Sequence, residues 1–108
     1  MAAQYIADVH DVARMIPAGR VTTYGAIADY LTLGSARMVG WAMFQGLGAT
    51  DVPAHRVVNR KGELSGRNHF ATPTLMQERL EAEGVRVVND TVQSFQEVFW
   101  SPTELLTS

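Results

Sequence analysis

Cysteine is absent from the 108 residues. The chain can therefore form no disulfide, bind no metal through thiolate and use no cysteine nucleophile. Long apolar runs are missing as well, and nothing approaches the ~18 residues that a membrane helix needs. The opening Met1-Ala2-Ala3-Gln4-Tyr5-Ile6 has neither the charged nor the apolar stretch of a secretory signal, so a cytosolic or nucleoid location is expected. Histidine is scarce. His10, His55 and His69 have no metal-ligand spacing, and neither a metal nor a cofactor is expected. Basic charge does not dominate either: nine Lys and Arg face eleven Asp and Glu, for a net charge of −2. That balance argues against a generally basic nucleic-acid binder.

The charge that is present is unevenly spread. Arg56, Arg60, Lys61 and Arg67 fall in one stretch opposed only by Glu63, whereas Glu78, Glu81, Glu83, Asp90, Glu97 and Glu104 make the C-terminal part acidic. Screening confines exposed charges to a range of about 8–10 Å, so such a patch can hold phosphate in an acidic protein. A solvated loop is the competing reading, and for Arg56 a structural pairing is expected.

The length fits one domain spanning 1–108, and an apolar share of 46% can build a core. Ile6, Val9, Ala13 and Ile16 repeat at helical spacing, and Pro17-Ala18-Gly19 ends that helix. Thr22 or Thr23 can cap a second helix with Ile27, Tyr30 and Leu31 on its core face. Leu33-Gly34 breaks it. Ser35 then caps a third helix with Ala36, Val39 and Met43 on one side, and Trp41, like Met76, is a core candidate. Helix, short turn, helix over about 23–46 predicts a helix-turn-helix. Val57-Val58 reads as a strand before a turn at Arg60-Lys61-Gly62. Thr72-Pro73 reads as N-cap and first helical residue of a helix carrying Leu75, Met76 and Leu80, which ends before Gly84. Val85 to Val88 is a further strand, and Val98, Phe99 and Trp100 should fold back onto the domain. The fold class is thus mainly α with short strands, a winged-helix-like helix-turn-helix domain.

Three segments in order and register resemble the O6-alkylguanine-DNA alkyltransferase family. They are Ile16-Pro17-Ala18-Gly19-Arg20-Val21-Thr22-Thr23-Tyr24-Gly25-Ala26-Ile27-Ala28, Ala36-Arg37-Met38-Val39-Gly40-Trp41-Ala42-Met43, and Pro53-Ala54-His55-Arg56-Val57-Val58-Asn59 followed by Gly62. The likeness spans roughly residues 5 to 88. In active members the third segment reads Pro-Cys-His-Arg, and the thiolate accepts the alkyl group. Here Ala54 stands there, and a methyl group has no lone pair with which to displace anything. Cysteine-less relatives are the alkyltransferase-like proteins, which the tail Phe99-Trp100-Ser101-Pro102 also resembles.

The resemblance implies jobs for particular residues. Tyr24 would rotate the target nucleotide's phosphate and contact the extruded base. Arg37 would fill the gap in the stack. Ala36 and Gly40, with Ala42, would let the helix approach the minor groove closely. Ala54, Arg67 and Asn68 would belong to the lesion-pocket loop over about 53–70. His55 and Glu83 would be the remnant of a cysteine-activating relay, and Gly46 stands where the family has a hinge asparagine. The function implied is recognition of O6-alkylguanine in duplex DNA by a monomer without enzymatic activity, with the lesion passed to nucleotide excision repair proteins. The competing readings are a winged-helix regulator of a DNA sequence and a water-driven dealkylase using His55 and Glu83.

Overall fold

The structure, a computed structural model, describes residues 2–45 and 51–106. Gly46, the hinge position of the sequence reading, lies outside the described residues. Helix α1 (Ala2–Arg14) presents Val9, Val12 and Ala13 to the core, and Ile16 follows them inward in the next turn. Strand β1 (Thr22–Thr23) leads straight into α2 (Tyr24–Tyr30), because the Thr23 hydroxyl accepts the Ala26 N–H at 3.0 Å and so caps the helix. Helix α3 (Ala36–Met43) packs across α1 and α2.

The turn between α2 and α3 differs from expectation. The Leu33 N–H donates to Ala28 O (2.8 Å) and the Thr32 N–H to Asp29 O (3.2 Å), the paired bonds of a Schellman ending. The left-handed residue this requires is Thr32 (φ 56°), not Gly34. Ser35 is extended and makes no side-chain cap bond. Three further expectations for α3 fail: Ala36 and Trp41 are exposed, and Ala42, expected on the face that approaches DNA, lies with Val39 and Met43 on the buried face.

After a 3-10 turn at Ala54–Arg56, β2 (Val57–Val58) pairs in parallel with β1, Thr22 opposite Val57 and Thr23 opposite Val58. The pair divides the interior. Val57 faces a cluster with Val9, Ile16, Ile27, Val39, Met43 and Trp100. Its neighbour Val58 faces Val21, Leu64, Met76, Leu80, Val85 and Val92. Alternation along a strand sends adjacent side chains to opposite faces, so two residues serve two cores.

Helix α4 (Leu75–Ala82) begins later than the sequence suggested. Thr74 occupies the cap position without a cap bond, and Thr72-Pro73 lie in the preceding turn. Gly84 (φ 90°) ends α4 through Val85 N–H to Leu80 O at 3.0 Å. The expected strand at Val85 to Val88 shortens to β3 (Val87–Val88), antiparallel to β4 (Thr91–Val92). Both hairpin-turn residues, Asn89 and Asp90, have positive φ (52° and 58°), the twist that a two-residue hairpin requires. A short α5 (Phe95–Val98) returns the tail to β1: Val21 donates to Val98 O (2.9 Å) and accepts from Trp100 N–H (2.7 Å). Trp100 is buried as expected. No helix among the described residues is long and apolar enough to cross a membrane.

Candidate nucleic-acid interface

The exposed face of α3 carries two small residues, its one cation and a tryptophan. Ala36, Arg37, Gly40 and Trp41 point away from the core and line a groove of about 480 Å³. Phe44 and Gln45 extend it at the helix end. Tyr24, at the start of α2, forms its floor, and Ser65 and His69 close it from the loop before α4. Of the residues expected to bind a target, Tyr24, Ala36, Arg37 and Gly40 are brought together here.

Tyr24 is fixed from two sides. Burial raises its hydroxyl above the usual phenol range, against the opposing pull of a hydrogen bond with the Ser65 side chain. The phenol is therefore neutral at physiological pH. Gly66 permits this arrangement: a Cβ there would lie 2.9 Å from the Tyr24 hydroxyl and 2.8 Å from Phe44 Cζ. Phe44 is itself held, stacked on His69 with centroids 4.1 Å apart and edge-on to Phe70 at 6.2 Å. Arg37 is exposed, and among the described residues no hydrogen bond or ion pair restrains its guanidinium. Although the chain is acidic overall, no carboxylate lines this groove among the described residues.

The remaining expected residues lie elsewhere. Ala54 is half-buried and packs against the first core cluster. Arg67 turns away, its Nη1 donating to Leu64 O (3.1 Å) and its Nε 3.6 Å from Asp90 Oδ2. Asn68 is exposed beside it. None of the three lines the groove. Phe44, Gln45, Ser65 and His69 were not singled out from the sequence. Phe44 extends the Arg37–Trp41 stripe by three residues and could have been read from helical spacing. The loop residues carry no such local signal.

His55 and Glu83 do meet, with Nε2 and Oε2 2.8 Å apart. Arg56 nevertheless holds the same carboxylate through Nε (3.0 and 3.2 Å) and Nη2 (2.6 Å), and its Nη1 donates to Ile16 O at 2.8 Å. The Gly19 N–H adds a longer bond to Glu83 at 3.3 Å. Burial would raise the Glu83 carboxyl, but the Arg56 and His55 hydrogen bonds outweigh it and hold it at about 2. Burial pushes the His55 imidazole down against the pull of Glu83, which keeps the ring neutral. Its Nδ1 is buried without a hydrogen-bond partner among the described residues. The expected pairing of Arg56 is thus observed, and of the basic stretch Arg60 and Lys61 remain as exposed cations. Among the described residues no cluster of three or more His, Asp or Glu could hold a metal.

Residues 4–85 match the family model described as 6-O-methylguanine DNA methyltransferase, DNA binding domain. Alkyltransferase-like protein 1 of Schizosaccharomyces pombe is 38% identical over 92% of this chain and 96% of its own length. The DNA base-flipping protein of Vibrio parahaemolyticus is 31% identical over 92% of this chain and 98% of its own. The crystal structure of S. pombe Atl1 in complex with damaged DNA containing O6-carboxymethylguanine superposes with a TM-score of 0.81 at 36% identity, covering 92% of this chain and 96% of that one. Ala54 stands at the position corresponding to the family's acceptor, and the chain carries no cysteine. It belongs to the family of the 6-O-methylguanine DNA methyltransferase DNA-binding domain, in the cysteine-less, alkyltransferase-like branch.

Proposed function

We propose that this chain recognises O6-alkylguanine in duplex DNA, extrudes the damaged nucleotide, leaves it unrepaired and passes it to nucleotide excision repair proteins. The observation that carries the reading is the shared groove of Tyr24 and Arg37, flanked by the small residues Ala36 and Gly40 and lined, among the described residues, by no carboxylate. Small side chains let α3 lie close to the minor groove. Extrusion costs a few kcal/mol of stacking and pairing, and a planar cation inserted in the gap offsets part of it. In this reading Arg37 makes that insertion and the neutral Tyr24 phenol, which lines the same groove, meets the displaced nucleotide. Because the relatives include a protein crystallised on O6-carboxymethylguanine DNA, an O6-alkyl lesion is the class of target favoured.

Titration of matched duplexes containing guanine, O6-methylguanine or a bulkier O6-alkylguanine tests the reading. Tighter binding of both adducts than of guanine is expected. Equal affinity for all three, or preference for one sequence regardless of lesion, would overturn it in favour of a sequence-reading regulator.

A further inference from the structure

Trp41 is half exposed (52%), whereas Trp100, the other tryptophan, is buried to 3%. An indole is costly to leave in water unless something covers it. Among the described residues its ring neighbour is Tyr5 of α1, with centroids 6.4 Å apart and planes tilted by 32°. That contact leaves the outer part of the ring open. Trp41 follows Arg37 by one helical turn, so the two side chains form a single ridge along the groove. Ser65 and His69 close the groove from the loop before α4. Trp41 therefore belongs to the α1 side, away from the loop that faces Tyr24.

A flat apolar ring next to an unrestrained guanidinium, with no carboxylate lining the groove among the described residues, suits a polyanion that also offers flat apolar surfaces. Nucleic acid has both. We propose that Trp41 is a second DNA anchor of this chain, its indole seated against the sugars and base edges beside the nucleotide that Arg37 displaces. This rests on the reading of the groove as the DNA face. Its placement on the outer wall makes the contact independent of the lesion: Trp41 supplies affinity for any duplex, while Arg37 and Tyr24 supply discrimination.

The test uses the full chain with plain and O6-methylguanine duplexes. Trp41→Ala should weaken binding to both by about tenfold and by equal factors, the order of one lost aromatic stack, and Trp41→Phe should weaken both by less. In the wild type, saturation with plain duplex should abolish acrylamide quenching of the accessible tryptophan, while buried Trp100 stays unquenched throughout. Wild-type affinity in folded Trp41→Ala, or unchanged quenching on saturation, would overturn the proposal and leave Trp41 as packing for Tyr5. A loss confined to the lesioned duplex would overturn it too, because it would place Trp41 in lesion recognition. If Trp41→Ala does not fold, the quenching measurement and Trp41→Phe decide alone. Should Arg37→Ala lose lesion preference while Trp41→Ala binds normally, the DNA reading stands and this inference falls. If the wild type binds neither duplex, the DNA reading has failed first.

Discussion

Arg56 grips Glu83 with Nη2 2.6 Å from Oε2, and the same carboxylate lies 2.8 Å from His55 Nε2. One acidic side chain thus ties the 3-10 turn at Ala54–Arg56 to the end of α4, and through Gly19 to the turn before β1. In a chain without a thiol the cluster has no proton to remove from a nucleophile. What it retains is a structural task.

That task has a pH signature. Glu83 is held at about 2 against an ordinary value of 4.5, so its contribution to stability is full above pH 4.5 and is lost as pH falls from there towards about 2. His55 is displaced downwards as well, so its contribution is full above the ordinary imidazole value of 6.5 and is lost as pH falls through that value, where the unfolded chain takes up the proton first. Denaturation midpoints measured between pH 8 and 3 should fall steadily on acidification. Glu83→Gln, which leaves the Arg56 guanidinium half-buried without a countercharge, should cost about 2–3 kcal/mol at pH 7 and flatten the limb below pH 4.5. An unchanged acid limb in Glu83→Gln would remove Glu83 from this role.

For the groove, folded Arg37→Ala should bind a lesioned duplex about 1–3 kcal/mol more weakly. Tyr24→Ala should do likewise, and Tyr24→Phe should cost less, since it keeps the ring and loses the Ser65 hydrogen bond. Fluorescence anisotropy at fixed salt is the readout. Undiminished lesion binding by Arg37→Ala would remove base extrusion by this residue.

Much of this architecture was legible because helices announce themselves by spacing. Val9, Ala13 and Ile16, then Ile27, then Val39 and Met43 all reach the core, and Thr23 caps α2 through its hydroxyl. Trp41 escaped because an apolar residue type says little about which face of a short helix is covered. The Ser65–His69 wall escaped for a different reason: it meets α3 through tertiary packing across more than 20 residues of chain, which no local period records. Strand β4 is two residues long, too short for an alternation to show. The resemblance named Tyr24 and Arg37, which the fold brings into one groove, and Arg67, which faces Asp90 and Leu64 outside it.

We propose that adduct handling depends on Ala54, the family's acceptor position, which packs against the first core cluster outside the groove lining. No residue should gain mass after incubation with O6-methylguanine DNA, and a shift of one methyl group in the intact protein would contradict the loss of transfer. A methyl side chain at this position also asks less space than a thiol or an indole would. Affinity should therefore hold or rise from methyl to propyl to benzyl adducts, since each buried methylene contributes roughly 0.8 kcal/mol. A steady fall with adduct size would mean that the side chains around Ala54 have closed over the space.

Thr32 offers a stability test independent of DNA. A β-branched residue at φ 56° is strained, while Gly84 occupies the equivalent position after α4 without strain. Thr32→Gly should stabilise the fold by about 0.5–1 kcal/mol despite the added freedom of the unfolded chain. A lower thermal midpoint in Thr32→Gly would show that the hydroxyl bond to Leu31 O, 2.6 Å long, outweighs the backbone cost.

Gly66→Ala should damage recognition more than stability. The added methyl would lie 2.8 Å from Phe44 Cζ and 2.9 Å from the Tyr24 hydroxyl, closer than carbon contacts allow. Phe44 cannot simply swing aside, because His69 stacks on one face and Phe70 meets its edge. Tyr24 is the softer neighbour: its ring lines an open groove, and a small rotation frees the methyl at the expense of the Ser65 hydrogen bond. The rearrangement should cost about 1–2 kcal/mol of folding free energy, while the displaced phenol no longer meets the extruded nucleotide. Lesion affinity should fall to near that of Tyr24→Ala, and combining Gly66→Ala with Tyr24→Ala should add little further loss, because both act through the same ring. Fully additive losses in this double-mutant cycle would show that Gly66 serves the groove by another route.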